Sequence, residues 1–425
     1  MKILVSFLVL FVLSCCPQKG EMKPAPYAQA SASASASTPP QDVTILLPVP
    51  SLATRQGVVH SASLLSPSCP VPSQLATDLS AASQADVLSL AGVNPTTCPE
   101  VAMTQTWAGG KLIFSDSPES PSLRGKLYAD ASLSATTGTD YNRVFLYHVS
   151  AKVSGNLRFT VLIKNTSTLA ATLTTQKKGT SGPTTSYLYA GKLGFSRWLT
   201  SVPGSGVNVP AGSSVRLDTT FDTTNVAPSN LLHGIWDYSM TQAHQVTVCA
   251  LNQNDDPLTV CPTLSVLTRD SHQRGTFPNA DKVYDTSAGT AIDTAGEIQQ
   301  FPLAAGTAND SNAVGVDATD GSSQVLSGNY GVLYKMHLST LSTDGKSLGL
   351  LLNPRGGQWG GAVWTSPGIT PGGKFLIPAL TGSTGDNTKG AVQGKYSPGA
   401  GLTTWAQWMP TGGSAMPLRA VAVPF

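Results

Sequence analysis

The chain has 425 residues, which is more than one ordinary domain and gives two as the expectation. Only 12% of them are charged, about half the usual share, and the formal net charge is +2. That balance offers no electrostatic attraction for nucleic acid or for a strongly acidic partner. Forty-one glycines and thirty prolines, with abundant Ser and Thr and few long helical patterns, point to an all-β chain rich in turns.

The chain opens with Met1-Lys2, an unbroken apolar run from Ile3 to Leu13, then Ser14-Cys15-Cys16. A run this short suits the core of a secretory signal and cannot span a bilayer. Val12-Leu13-Ser14-Cys15 resembles the box at which bacterial lipoproteins are cut and acylated. Cys15 is therefore the expected lipidation site, residues 1–15 the signal, and a membrane the expected partner through the lipid anchor. The alternative is an ordinary signal cut after Ala28-Gln29-Ala30, with the protein then secreted. Residues 16–41 include four Ala-Ser repeats from Ala30 to Ser37 and carry little apolar surface to offset ordering entropy. They read as a disordered tether.

Residues 42–106 read as an irregular segment with one helix, Ser73 to Gly92. Ser83 and Asp86 resemble its capping box and Gly92 its stop. From Trp107 to 270 strands dominate, and a β-sandwich is expected. Phe145, Tyr147, Val149, Ala151 and Val153 alternate with Leu146, His148, Ser150 and Lys152. Leu157, Phe159, Val161 and Ile163 alternate with Arg158, Thr160 and Lys164. Such alternation predicts one buried and one wet face, and Ser154-Gly155-Asn156 would join the two runs as a hairpin. Further strands are predicted near 215–221, at 246–251 and at 258–267. Residues 271–325 read as a junction of weaker pattern. Residues 326–425 read as a second β-rich domain, with strands at 330–338, 347–352, 360–365, 374–380, 402–409 and 417–424. The overall expectation is an all-β protein with two β-sandwich-like domains behind a signal peptide and a tether.

Beyond the signal boundary four cysteines remain, an even number in an exported chain. Cys249 and Cys261 flank Asn252 to Pro257, so a bridge between them would cross-link a strand–turn–strand hairpin. Cys69 would then join Cys98. Closing each loop is worth about 3 kcal/mol in the chain-entropy model. A zinc site is disfavoured by the lack of any C-x-x-C pair and by export. There is also an internal likeness. Tyr141 to Asn165 and Tyr330 to Asn353 each start after a tyrosine, turn at a glycine and end in asparagine, which suggests two related units.

Ser115-Asp116-Ser117-Pro118-Glu119, Arg143 to Val149, Arg274 to Asp281, Gly328 to Tyr334 and Asn353-Pro354-Arg355-Gly356-Gly357 carry a resemblance. They look like segments of uncharacterised exported bacterial β-rich proteins, related to a cyanobacterial domain of unknown function. Similar segments occur in proteins with an amine-oxidase-like amino-terminal module. The resemblance covers roughly residues 110 to 380. It implies an exported β-rich protein and brings no activity or catalytic residues with it. Asn329-Tyr330 is followed by Gly331, which departs from the Asn-Tyr-Asp/Glu from which copper amine oxidases derive their cofactor. His337 also lacks the His-x-His neighbour of their copper site.

His272, Arg274 and Asp281 form the densest mixed polar cluster. Arg274 could hold an anion, and His272 and Asp281 could serve acid–base chemistry. The plainer reading is a crossover between domains in which Arg274 pairs with Asp281 and Phe277 is buried. Asn252-Gln253-Asn254-Asp255-Asp256 offers oxygens to Ca²⁺ but lacks the glycine and terminal glutamate of an EF-hand, and turn chemistry explains it. Trp359, Trp364, Trp405 and Trp408 gather near the carboxy-terminus. Trp364 and Trp408 are the candidates for stacking on sugar rings, with burial between sheets as the alternative. Trp405 and Trp408, three apart in a strand, must face opposite sides. No nucleophile elbow, phosphate loop or dinucleotide fingerprint occurs. The expected function is an envelope-anchored structural or binding protein without catalytic site, metal or cofactor, whose partner is a surface glycan or another envelope protein. A carbohydrate-binding protein or hydrolase, acting at the junction or on the Trp-rich sheet, is the alternative.

Overall fold

The computed structural model describes residues 68–136, 140–286, 291–380 and 388–425. The signal, Cys15 and the Ala-Ser tether lie outside the described residues. Within them the chain is mostly strand and forms two β-sandwiches, as its composition and alternation imply.

Helix α1 (Ser73–Ala81) buries Leu75 and Leu79 and stops well before Gly92. Asp86 accepts from the Ser83 amide at 2.8 Å in a turn rather than at a helix start. A short strand, β1 (Val87–Ser89), follows. Cys98 is bonded to Cys69, and β2 (Thr104–Ala108) leads into the first sandwich.

That sandwich comprises β3 (Leu112–Ser115), β4 (Gly125–Leu133), β5 (Asn142–Val149), β6 (Leu157–Asn165), β7 (Ala171–Thr184), α2 (Tyr187–Leu199), β8 (Val207–Val209), β9 (Ser214–Arg216), β10 (Leu231–Met240) and β11 (His244–Asn252). One sheet runs β3-β5-β10-β7-β8 and the other β4-β11-β6-β9. Ile113, Val144, Leu146, Val161 and Trp236 belong to the core they share. The runs expected to form a hairpin are β5 and β6, and they do not pair. β5 pairs with β3 and β10, and β6 with β11 and β9. The Gly155 turn therefore carries the chain from one sheet to the other. Nor is β5 wet on one side. All its residues are buried, because Phe145, Tyr147 and Val149 pack with Phe195 and Trp198 of α2 and with residues of the second sandwich. Its polar side chains find internal partners, His148 Nε2 lying 2.9 Å from Ser115 Oγ.

Helix α2 was not predicted. It lies against β7 and β10 on one side and against the second sandwich on the other. Past β11, the strand expected over 258–267 is instead a helical turn, Pro257–Val260, and a tighter turn, Cys261–Thr263. Asp256 caps it by accepting from the Leu258 amide at 3.4 Å, and proline at the first helical position favours that outcome. Cys249 and Cys261 are bonded, their Cα atoms 5.9 Å apart. The bridge ties β11 to a helical turn and not to a second strand.

The remaining strands are β12 (Arg274–Phe277), β13 (Asp281–Asp285), β14 (Ile292–Asp293), β15 (Gln299–Leu303), β16 (Ala313–Asp317), β17 (Ser322–Leu326), β18 (Leu333–Leu341), β19 (Leu348–Pro354), β20 (Trp359–Thr365), β21 (Gly373–Leu380), β22 (Lys389–Tyr396), β23 (Leu402–Trp408) and β24 (Leu418–Pro424). The stretch read as a junction is thus strand-rich, and the second sandwich begins at β13 rather than near 326. β12 pairs with β3, and the hairpin β16–β17 follows it, extending the first sheet to eight strands. The second sandwich has sheets β2-β13-β18-β23-β20-β21, with β14 beside β18, and β1-β22-β19-β24-β15. The amino-terminal segment belongs to it through β1 and β2, and Leu75 and Leu79 pack with Leu351, Val392 and Val421.

The two sandwiches share one topology. In chain order, β3 to β11 of the first correspond to β13, β15, β18, β19, β20, β21, β22, β23 and β24 of the second. Every neighbour relation matches in sense. β3–β5 and β13–β18 are parallel. The corresponding pairs among the rest are antiparallel. The two segments that look alike in sequence are the equivalent crossings β5–β6 and β18–β19. Their terminal asparagines do equivalent work. Asn165 donates to Val209 O at 3.0 Å and Asn353 to Lys389 O at 2.8 Å, each holding the chain that enters the adjacent strand. Helix α2 in the first copy, and the short β14 and the hairpin β16–β17 within the second, are insertions without a counterpart in the other.

Candidate binding face

The three polar residues expected to form a junction site are dispersed. Arg274, on β12, is buried and pairs with Asp317 at 2.9 Å, not with Asp281. Its remaining donors reach Leu127 O, Leu267 O and Thr319 Oγ1 at 3.0, 2.8 and 3.1 Å. It pins the β16–β17 hairpin to the first sandwich and leaves no donor aimed at a ligand. Phe277 is buried, as the plainer reading had it.

Asp281, on β13, is also fully buried. Its partners are Arg143 at 3.2 Å, Lys335 at 2.6 Å and the Tyr141 hydroxyl at 2.5 Å. Arg143 pairs at the same time with Asp237, at 2.7 and 2.9 Å, and donates to Ala280 O at 2.7 Å. Asp237 lies in the first sandwich, and Asp281 and Lys335 in the second. The cluster is the polar lock between them, and the guanidinium is held protonated by the two carboxylates despite its burial.

His272 stands apart on the surface, between Asp270 and Glu119 at 3.1 Å each. The Asp270 hydrogen bond raises its pKa above the usual imidazole value. Near Glu119 in the sequence lies Asp116, whose carboxyl is raised well above the usual range by burial and by the charges of Glu119 and Asp270. Asp116 Oδ1 and the Tyr147 hydroxyl are buried without a hydrogen-bond partner among the described residues.

The tryptophans separate by strand parity. Trp359 and Trp408 are fully buried in the core, so Trp408 is unavailable to a sugar. Trp364 and Trp405 lie on the opposite, outer face of the sheet, stacked on each other with ring centroids 3.9 Å apart at 18°. Trp405 is 37% exposed. The parity was visible in the sequence, since Trp405 alternates with Thr403 and Gln407 on one side while Ala406 and Trp408 fall on the other. Strand register sets the surroundings. One row across the sheet reads Val283, Lys335, Gln407, Trp364, Lys374. The next reads Asp285, His337, Trp405, and ends at Ser366, whose hydroxyl accepts from the Trp405 amide at 3.1 Å. His337 and Lys374 are exposed, and Lys335, Asp285, Gln407 and Trp364 are partly exposed. The result is two stacked indoles amid amide, imidazole, carboxylate and ammonium groups on a rigid sheet.

No family model matches the chain, and no curated protein matches it. Among solved structures, the PBSX exported protein XepA is similar at 10% identity, over 79% of this chain and 88% of that one, with a TM-score of 0.13. A likeness of that size bears on neither fold nor function.

Proposed function

We propose that the protein is a binding component of the bacterial cell envelope, lipid-anchored through Cys15, and that its ligand is a glycan held on the outer face around Trp364 and Trp405. The observation that carries this reading is the stacked indole pair on a sheet face with exposed polar neighbours. Solvent-facing indoles bury apolar ring surface against the C–H faces of a pyranose, while the amide, imidazole and carboxylate in the same rows suit its hydroxyls. The internal ion pairs of Arg274 with Asp317 and of Asp281 with Arg143 and Lys335 support binding over hydrolysis, since the charged residues nearest to a junction site are committed to holding the fold together. The apolar run before Cys15 and the Ala-Ser stretch support the anchor.

The test is a glycan array probed with the parent protein, Trp405→Ala and Trp364→Ala. The parent is expected to retain at least one class of polysaccharide, and Trp405→Ala to lose about tenfold or more in affinity, roughly 1.4 kcal/mol. No binding by the parent ends the glycan reading. Intact mass of the native protein tests the anchor: a diacyl or triacyl addition on Cys15 is expected, and an unmodified chain beginning further along would show secretion instead.

A further inference from the structure

We infer that the glycan is acidic, with an anionic substituent on the sugar that Lys374 receives. This rests on the reading of the Trp364–Trp405 face as a glycan site and names its ligand class. The argument is the placement of charge along one cross-strand row. Lys335, Gln407, Trp364 and Lys374 are consecutive cross-strand neighbours on the same face. Strands are spaced about 4.8 Å apart, so the two lysines bracket the indoles at about 14 Å, backbone to backbone.

The two lysines differ in what they already hold. Lys335 is committed to Asp281. Lys374 is exposed, and among the described residues its contact is a neutral one, Thr200 Oγ1 at 3.5 Å. It therefore has capacity for an anion. At the covered edge of the face, Arg143, Lys177 and Lys335 stand against Asp237 and Asp281, leaving one positive charge in excess. Lys177 is beside the lock, its Nζ 4.2 Å from the Trp198 ring. Asp285 is the opposing charge in the rows described. It sits beyond His337, at the end remote from Lys374. A ring seated on the indoles thus has its carboxylate or sulfate drawn toward the Lys374 edge, and its neutral hydroxyls left to Gln407, His337 and Asp285. An exposed ion pair alone is weak and salt-sensitive. The indole stacking supplies the rest, so both parts are needed together.

The experiment measures affinity of the full protein for polygalacturonate, for the same polymer with its carboxyl groups reduced to alcohols, and for dextran sulfate. It is run at low and high salt with the parent, Lys374→Gln, Trp405→Ala and, as a control on the far sheet, Lys164→Gln. Circular dichroism confirms that each variant is folded. The expected result is binding to one of the acidic polymers that falls about tenfold or more in Lys374→Gln and in Trp405→Ala and, where that polymer is polygalacturonate, on carboxyl reduction, with Lys164→Gln unchanged. The polymer that binds identifies carboxylate or sulfate as the anion. Equal binding to the acidic and reduced polymers overturns the acidic ligand while leaving the glycan reading intact. Acidic binding that both Lys374→Gln and Trp405→Ala leave unchanged is charge attraction elsewhere and overturns both. Binding to none of the three overturns the acidic ligand, and the glycan array alone then decides the wider reading.

Discussion

At the residue scale, charged side chains lie buried between and within the sandwiches, and what each finds there decides its cost. Arg143 shares the parity of Phe145 and Tyr147, the face that alternation assigns to the core, and it can stay charged there because Asp237, Asp281 and two backbone carbonyls satisfy it. Asp116 is the counterexample, since its buried Oδ1 has no hydrogen-bond partner among the described residues. Its pKa is raised by burial first and by Glu119 and Asp270 next. A carboxyl raised in the folded state contributes its full stability below the unfolded value, about 3.9, and loses it as pH rises through the folded value. Asp116→Asn removes that loss. The variant is expected to melt above the parent near pH 8, with the gap closing toward about pH 4. Melting temperatures across that range check it, and parallel curves for parent and variant would show that Asp116 is not the group responsible.

At the element scale, the strands were legible and their pairing was not. Period-two alternation marks 330–338, 347–352 and 417–424 as strands because each has a face in the core, and β18, β19 and β24 lie there. Alternation carries no information about which sheet receives the next strand, so two sheet-to-sheet crossings read as hairpins. Strands β13 to β17 are short, which is why 271–325 looked weakly patterned. Helix α2 left a signal that strand-rich surroundings obscured: Tyr187, Ala190, Gly191, Gly194, Phe195 and Trp198 recur at three- and four-residue spacing. Its glycines are explained by distance. A Cβ on Gly179 of β7 would lie 2.0 Å from Gly194 O and 2.5 Å from the Trp198 amide of α2, both backbone atoms. Helix and sheet touch there, and nothing larger than hydrogen fits. Gly179→Ala must push α2 off β7 and is expected to cost about 1–3 kcal/mol. Denaturant unfolding followed by tryptophan fluorescence measures it, and a loss below about 0.5 kcal/mol would mean that the helix yields without strain. The Trp364–Trp405 face was legible in part, because strand parity separates Trp405 from Trp408, but only the cross-strand register brings Lys374, Gln407 and His337 beside the indoles.

At the scale of the whole molecule, duplicated sandwiches would ordinarily behave as two independent domains, and the chain path argues otherwise. The amino-terminal segment adds β1 and β2 to the second sandwich before the first has begun. The β16–β17 hairpin, inserted between strands of the second sandwich, completes the sheet of the first through β12. Arg143 takes acceptors from both sandwiches, and one continuous apolar cluster runs from Phe145 and Trp198 to Trp408 and Leu350. Unfolding the second sandwich alone would take Asp281 and the Ala280 and Gly331 carbonyls from Arg143 and uncover the face of β5 and α2 that packs on it. Phe145, Tyr147 and Trp198 would then meet water, at about 1.5–3 kcal/mol for each large apolar side chain fully uncovered. An intermediate with one sandwich folded is therefore much less stable than either end state. Calorimetry on the disulfide-intact protein is expected to show one transition, with the calorimetric enthalpy close to the van't Hoff value. Two resolved transitions, or a van't Hoff enthalpy near half the calorimetric one, would mean that the shared apolar cluster and the Arg143 lock do not couple the two sandwiches, and that they unfold as thermodynamically separate domains.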